Sequence, residues 1–191
     1  MLVGAYESNN AVFLKSAPVV HLNSEVRFLK KQVNLNHKPC AIKSGTMVPC
    51  VDVEVTLKYD GVGVPEEITL ELNYILDSKK EKTKRLFFLE GTEQESERTE
   101  KVTIRKGQPH RETFQVHLPA SAISDKLTSI DIQVRYSLAK QTSGGTYGRQ
   151  RRELAPVLGH DDRMATDTLS IQKNCGSDNV CIPNLSVSVK Q

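Results

Sequence analysis

Hydrophobic side chains occupy every second position along four segments, and this alternation limits the fold more than any other feature of the sequence. Side chains of a β-strand point alternately to the two faces of its sheet, so each segment predicts a strand with one buried face. The alternating hydrophobic positions are Val51, Val53, Val55 and Leu57; Ile68, Leu70, Leu72 and Tyr74; Phe114, Val116 and Leu118; and Ile130, Ile132, Val134, Tyr136 and Leu138.

The remaining sequence favours an all-β fold. Weaker strand patterns occur at residues 18–20, 26–29, 86–89, 101–105 and 168–172, and polar segments rich in turn-forming residues separate the strands. Residues 120–129 are the only stretch that could form a helical turn, and a short connector is favoured there. Many short alternating strands without a sustained helical period predict two antiparallel sheets packed face to face, a β-sandwich.

The charge balance argues against a nucleic-acid-binding surface. Charged residues make up 26% of the chain, yet the formal net charge is only +3. The two charge-dense segments, residues 77–85 and 90–101, are predicted to be solvated hairpin ends rather than binding sites. We therefore expect no DNA or RNA partner.

The four cysteines fall in two locally spaced pairs, Cys40 with Cys50 and Cys175 with Cys181. Neither spacing matches a zinc-binding C-x2-C motif, and the nearby histidines do not complete a ligand quartet at the usual intervals. Both pairs lie in loops rich in Pro, Gly or Asn, which favours two local disulfides over four reduced core thiols. Disulfides persist in oxidising compartments, so we expect an extracellular protein.

The loop between Cys175 and Cys181 contains oxygen ligands of the kind that Ca²⁺ prefers. Gly176 allows a tight turn, Asp178 supplies a carboxylate, and the constrained backbone carbonyls add further oxygens. One carboxylate is too few for a tight site, so a Ca²⁺ site would need a ligand from outside the loop. The alternative is a purely structural clamp.

No catalytic signature is present, so we predict a non-catalytic protein. The sequence has no G-x-S-x-G, H-E-x-x-H or P-loop motif. An extracellular hydrolase would depend on His160, Asp161 and Asp162, but consecutive loop side chains do not have to converge. The stronger alternative is a secreted β-sandwich module that binds carbohydrate or protein. Carbohydrate binding would require exposed aromatic residues, and most aromatics lie at inward-facing positions.

Two short motifs concern modification. Arg149, Arg151 and Arg152 form an R-x-[KR]-R pattern that proprotein convertases cut, and the alternative is a mobile basic loop. Asn184 begins the single N-x-[ST] sequon and is a candidate glycosylation site.

The chain is expected to be a piece of a longer protein that does not itself span a membrane. It has no run of 18 or more apolar residues and no pattern of a secretory signal. Its N-terminal residues read as an isolated strand pair, and "LSVSVK" near the C-terminus begins an alternating strand without a partner.

Three stretches resemble integrin α subunits, and together they extend over essentially the whole chain. "VGAYESNNAVFLKSAPVV" resembles the segment that closes the seven-bladed propeller of these subunits, and "LKYDGVGVPEEITLELNYILD" resembles the thigh domain. "NCGSDNVCIPNLSVSV" is similar to the knee between the thigh and the first calf domain. The sequence departs from the family at Lys15, Ser16 and Ala17, where an Arg-x-Arg is usual, and in "TSGGTYGRQRRE".

The resemblance implies an immunoglobulin-like antiparallel β-sandwich. Residues 1–17 would be a remnant of the last propeller blade with its linker, 18–174 the thigh domain, 175–181 the knee disulfide loop and 182–191 the start of calf-1. The family's early thigh cystine matches Cys40 with Cys50. The knee Ca²⁺ would bind the backbone carbonyls of Cys175 and Val180 and the carboxylate of Asp178. An acidic residue of the calf domain would complete that site, so this chain alone should hold Ca²⁺ weakly or not at all.

The resemblance also implies a mechanical role. The parent would be a single-pass plasma-membrane adhesion receptor, paired with an integrin β subunit, that binds a matrix ligand through parts absent from this chain. The thigh would separate the ligand-binding head from the lower leg and form one side of the hinge between bent and extended forms.

Overall fold

The strands can be traced in a computed structural model that describes residues 2–4, 11–13, 16–91, 94–119, 123–139, 154–160 and 163–173, the first two ranges by their backbone alone. Over these ranges the chain forms strands, turns and loops but no helix, and so no helix that could cross a membrane. The strands are β1 (Leu2–Gly4), β2 (Ala11–Phe13), β3 (Val19–Phe28), β4 (Gln32–Val33), β5 (Cys40–Ala41), β6 (Met47–Val48), β7 (Cys50–Asp60), β8 (Glu67–Leu76), β9 (Phe87–Phe88), β10 (Glu97–Arg105), β11 (His110–His117), β12 (Ile130–Leu138), β13 (Val157–Leu158) and β14 (Met164–Ile171).

Ten of these strands form two five-stranded sheets that pack into the predicted sandwich. The first sheet has the order β10-β8-β12-β14-β4, and the second has the order β13-β3-β7-β11-β9. The long strands pair antiparallel, as predicted. Two short edge strands differ, because β13 pairs parallel with β3 and β4 pairs parallel with β14.

The chain changes sheet between β3 and β4, which explains one of the parallel pairings. β3 belongs to the second sheet, whereas β4 starts four residues after β3 ends and belongs to the first. β3 and β14 both run from the same end of the sandwich to the other. A strand that continues in this direction after changing sheet must therefore lie parallel to β14.

One continuous core lies between the sheets, and the predicted alternation defines it. Val53, Leu70, Leu72, Val116 and Val134 are among its fully buried side chains. The two short segments predicted at residues 18–20 and 26–29 belong to a single strand, β3, because residues 21–28 pair with β7 without a break and Leu22 continues the buried face. The hydrophobic alternation is broken there by polar residues 23–25, which is why the sequence pattern looked divided.

The sandwich has an upper end, where β3 begins, and a lower end, where β14 finishes. Val19 at the start of β3 pairs with Val157, whereas the backbone N–H of Phe28 at the other end of β3 donates to Asp167 in β14. Ile171, the last residue of β14, lies further along and pairs with Val33. Nine residue steps of β3 span about 30 Å at the usual strand rise. The chain thus enters the sandwich at one end and leaves it at the other.

The N-terminal residues form the isolated strand pair that the sequence predicted. Leu2 pairs with Phe13, and Gly4 pairs with Ala11, in an antiparallel arrangement. This pair is a two-stranded sheet separate from both five-stranded sheets.

The prediction that the two charge-dense segments are only solvated hairpin ends was wrong. In the first segment, Asp77 and Arg85 have side chains that are 0% and 2% exposed. In the second segment, Glu97 begins β10, which the sequence placed four residues later. Burial of the Asp77 and Arg85 pair also depends on carbonyls at least 40 residues away, which a local composition window cannot detect.

Candidate interdomain end of the sandwich

The lower end of the sandwich holds the departing chain firmly. The backbone N–H of Ser170 donates to the carbonyl of Lys31 at 2.9 Å, and that of Gln172 donates to the carbonyl of Val33 at 2.8 Å. The chain is therefore hydrogen-bonded to β4 and the turn before it until one residue before Lys173, where the described part of this segment ends. Whatever follows residue 173 begins from a fixed position.

Asp167 joins the two sheets at this end. Its carboxylate in β14 accepts the backbone N–H of Phe28 at 2.7 Å and the ammonium of Lys31 at 2.5 and 2.6 Å. Burial alone would raise the pKa of Asp167, but the bonds from Lys31 and Phe28 outweigh burial, so the pKa is lowered. The carboxylate stays charged and fixes β3 to β14.

A buried ion pair organises the loop after β8. Nε of Arg85 donates to Oδ2 of Asp77 at 2.9 Å and Nη2 donates to Oδ1 at 2.7 Å, a two-bond pairing. The backbone N–H of Arg85 also donates to Asp77 at 3.0 Å. The hydrogen bond and charge of Asp77 raise the pKa of Arg85 more than burial lowers it. Asp77 adopts φ of +48°, a left-handed conformation that Asp tolerates better than most residues.

The remaining donors of Arg85 reach the loop between β11 and β12. Nη1 donates to the carbonyls of Asp125 and Thr128 at 3.2 and 2.9 Å, and Nη2 donates to that of Ser129 at 3.3 Å. A buried guanidinium is stable only when its donors are satisfied, and here two loops supply the acceptors. Arg85 therefore fixes these two loops against each other at the lower end.

Two further carboxylates strengthen the same contact. Asp125 accepts the ammonium of Lys80 at 2.8 Å, and this bond is the largest cause of its lowered pKa. Asp131 accepts the hydroxyl of Ser78, and its backbone carbonyl accepts the N–H of Asp77 at 2.7 Å. The lower end is thus built from charged groups that are paired within the domain.

A disulfide-closed hairpin completes the lower end. Cys40 and Cys50 are bonded, with 6.0 Å between their Cα atoms, and the short strands β5 and β6 lie between them. Cys50 begins β7, so the bond fixes the hairpin to a central strand of the second sheet.

Most of the site residues that the sequence predicted lie outside the described ranges. These residues are Cys175, Asp178, Val180 and Cys181 of the Ca²⁺ loop, Asn184 of the sequon, and Arg149, Arg151 and Arg152 of the basic motif. Their roles stay predictions. The lower end is nevertheless where the chain departs toward the Cys175 loop.

The structure places no catalytic or carbohydrate-binding arrangement among the described residues. His160 is exposed in a loop, and Asp161 and Asp162 lie outside the description. Within the described ranges, no three His, Cys, Asp or Glu side chains converge as a metal site would require. The large hydrophobic side chains exposed in this part of the chain are all aliphatic or Met, so no exposed aromatic platform suits a sugar.

Sequence reasoning missed the Asp77 and Arg85 pair, although two signals pointed to it. Asp77 follows directly on the buried end of β8, and Arg85 directly precedes the hydrophobic run of residues 86–89. A charged residue at such a position has little room to reach solvent and needs a partner.

Two five-stranded sheets packed face to face over one continuous core define an immunoglobulin-like β-sandwich domain. Residues 16–174 match the family described as integrin alpha Ig-like domain 1. The chain belongs to this family and is an Ig-like domain of an integrin alpha subunit.

Relatives support the assignment over the full chain. Integrin alpha-PS2 of Drosophila melanogaster is 32% identical over 194 residues, covering 99% of this chain and 14% of that protein. Integrin alpha-V of Gallus gallus is 30% identical over 199 residues, and integrin alpha-8 of Homo sapiens is 27% identical over 196; each match covers 100% of this chain and 18% of the relative. The chain therefore spans less than a fifth of the length of each of these three relatives.

Proposed function

We propose that this domain is a non-catalytic spacer in the extracellular leg of an integrin α subunit. One observation carries the proposal. The chain enters the sandwich at β3 and leaves it after β14, at opposite ends of a body about 30 Å long. A domain that receives its neighbours at opposite ends separates them by its own length. The paired charges and hydrogen bonds at the lower end support a rigid connection rather than a mobile one.

The proposed division of the chain follows from this arrangement. Residues 1–17 are the end of a propeller blade with its linker, 18–174 the thigh domain, 175–181 a knee loop and 182–191 the start of calf-1. The family match at residues 16–174 and the separate sheet of β1 and β2 support the first two boundaries. The clamp of β14 by β4 supports a hinge that begins after residue 173.

A Ca²⁺ ion in the knee is part of the proposal. The backbone carbonyls of Cys175 and Val180 and the carboxylate of Asp178 are three hard oxygen donors, the chemistry that Ca²⁺ selects. Ca²⁺ takes about six to eight oxygen ligands, so this set is incomplete and needs an acid from the calf domain. A disulfide between Cys175 and Cys181 would fix the loop shape that presents these donors.

The parent is proposed to be a plasma-membrane adhesion receptor that pairs with an integrin β subunit and binds extracellular matrix through its head. The names of the relatives and the disulfide between Cys40 and Cys50 support the extracellular placement. In such a compartment Asn184 would carry a glycan. Cleavage after Arg152 would break the polypeptide between β12 and β13, so β13 and β14 would belong to a second chain.

Spin labels at both ends test the spacer role. Ser16→Cys and Lys173→Cys place labels on exposed residues at the upper and lower ends, and a narrow distribution at about 30 Å or more is expected. Val62→Cys with Val157→Cys is the matched control, because both residues are exposed at the upper end. Pulsed electron resonance should give a clearly shorter distance for the control pair. Equal distances, or a broad distribution for the first pair, would contradict a rigid spacer.

A further inference from the structure

A cavity of about 280 Å³ opens along one side of the sandwich. On this side β10 is the edge strand of the first sheet, and the two-residue strand β9 covers only part of β11 in the second. Its main walls are Tyr74, Phe88, Arg98, Glu100, Glu112 and Phe114, which we name the edge cavity. The spacer role does not use this cavity.

Three aromatic rings form one wall of the edge cavity. The ring centroids of Tyr74 and Phe114 are 5.3 Å apart, those of Phe88 and Phe114 are 5.4 Å apart, and those of Tyr74 and Phe88 are 6.3 Å apart. The face of an aromatic ring attracts a cation. The domain itself uses this attraction, because the guanidinium carbon of Arg98 lies 4.1 Å from the centroid of Phe88.

The carboxylates of the edge cavity carry more negative charge than Arg98 neutralises. Arg98 forms its short bonds with Glu95, at 2.9 and 3.0 Å, and its nearest approach to Glu100 is 3.7 Å. Glu112 accepts a long contact of 3.5 Å from the hydroxyl of Tyr74, and its carboxyl group also hydrogen-bonds that of Glu100. Two inward-facing carboxyl groups, Glu100 and Glu112, therefore contact each other, while the guanidinium of Arg98 forms its short bonds with Glu95.

The titration of neighbouring groups agrees with this excess of negative charge. Burial and the charge of Glu112 raise the pKa of Glu100, in that order. Burial and the charges of Glu112 and Glu100 raise the pKa of Tyr74. A cation placed between the carboxylates would relieve the repulsion that causes these shifts.

We propose that the edge cavity binds the ammonium or guanidinium group of a basic side chain from a partner protein. The half-buried ring of Phe114 contacts the hydrocarbon part, while Glu100 and Glu112 pair with the cationic group. The volume lies just below the range of about 300–1,000 Å³ usual for small-molecule sites, which suits one side chain rather than a cofactor. A metal fits less well, since no three ligating side chains converge among the described residues.

Inward-facing charges on an edge strand have another possible purpose, because they discourage strand pairing between molecules. If the charges only protect the edge, their removal should cause self-association of the protein, and no binding of a cation is expected. Binding of a cationic probe distinguishes the two explanations, because protection of the edge does not require it.

Nuclear magnetic resonance titration of the whole chain with Nα-acetyl-lysine amide tests the proposal, with Nα-acetyl-norleucine amide as the neutral probe. The lysine probe should shift the backbone signals of Glu100, Glu112 and Phe114 with millimolar affinity, and the norleucine probe should not. Glu112→Gln and Phe114→Leu should each weaken binding about fivefold. Glu97→Gln, an exposed carboxylate at the start of the same strand β10, is the control and should bind within about twofold of the parent.

Three results would overturn the proposal. One is the absence of shifts in the folded parent protein at about 20 mM lysine probe, well above a millimolar dissociation constant. Another is an equal response to the norleucine probe. The third is a Ca²⁺ titration that shifts the same signals at lower concentration, which would identify a metal site instead. Dispersed spectra of each variant establish that the variant is folded before its affinity is compared.

Discussion

The guanidinium of Arg85 and the carboxylate of Asp77 form a two-bond ion pair beneath the surface, with side-chain exposures of 2% and 0%. Both partners begin or end a loop at the lower end of the sandwich, and the same guanidinium reaches three carbonyls of a second loop. The geometry of the lower end of the sandwich therefore depends on one side chain.

Arg85→Met should be strongly destabilising. It leaves the carboxylate of Asp77 buried without its partner, which typically costs about 3–5 kcal/mol of unfolding free energy. Arg105→Met is the matched control, because the ion pair of Arg105 with Glu67 is exposed and should contribute less than about 1 kcal/mol. Urea denaturation measures both variants, and similar losses for the two would show that burial of the Asp77 pair is unimportant.

Asp167→Asn should reduce stability in a pH-dependent way. Because the pKa of Asp167 is lowered in the folded state, its charge stabilises the protein above the ordinary Asp pKa of about 3.9. That contribution is lost as the pH falls through the lowered value. The variant should therefore be about 1–2 kcal/mol less stable at pH 7 and close to the parent at the acid end. Denaturation curves from pH 7 to pH 2 test this prediction. It would be refuted if the difference in unfolding free energy between parent and variant grew toward acid pH.

Replacing Cys40 and Cys50 together by Ser should lower stability by roughly 2–3 kcal/mol. The bond closes a loop of sequence separation 10, and a loop of this length removes that much unfolded-state entropy in the chain-entropy model. Peptide mapping without reductant should recover the two residues in one linked peptide. Free thiols at both positions in protein secreted from cells would contradict the bond and the extracellular placement.

Gly61→Ala should destabilise more than Gly63→Ala, although both glycines have positive φ. A Cβ at Gly61 would lie 2.3 Å from the carbonyl oxygen of Val19, whereas a Cβ at Gly63 meets nothing within 4 Å. Strain of the left-handed backbone alone costs about 1 kcal/mol, and the contact with Val19 should bring the loss at Gly61 to roughly 2 kcal/mol or more. Thermal melting compares the two variants. Equal decreases in melting temperature would mean that the turn at Gly61 moves away from the carbonyl of Val19 without loss of stability.

Asp178→Ala should abolish Ca²⁺ binding in a chain extended through the next domain without opening the predicted bond between Cys175 and Cys181. The present chain lacks the proposed calf-domain acid, so it should bind Ca²⁺ weakly or not at all. Calorimetric titration of both lengths measures the difference. Equal affinity for both lengths, or none for the longer one, would eliminate a shared site.

The sequence predicted the sandwich because its core is organised with a period of two. Val53, Leu70 and Val134 lie at alternating positions on three different strands, and each is fully buried. The pairing of β4 with β14 was not predictable, because a strand of two residues contains no periodicity. Its position is decided by the change of sheet after β3, which is a tertiary event.

The candidate sites were predictable to a smaller extent. Asp77 and Arg85 meet because a loop folds back on itself, and the acceptors of Arg85 lie about 40 residues further along the chain. Glu100 and Glu112 converge only because β10 and β11 face each other from different sheets. From local composition alone, the Asp77 and Arg85 pair and the Glu100 and Glu112 pair both look like charged surface. The residues that surround each pair are far away in sequence.

Because the chain enters and leaves the domain at opposite ends, the direction of a pulling force on the domain is also determined. β3 and β14 both run from the upper end to the lower end, so a pull between residues 19 and 171 acts along the strands. The hydrogen bonds of a ladder are nearly perpendicular to such a force and must all be sheared together rather than opened one after another. The domain should therefore resist extension along its strands, and under the proposed function the hinge after residue 173 would yield first.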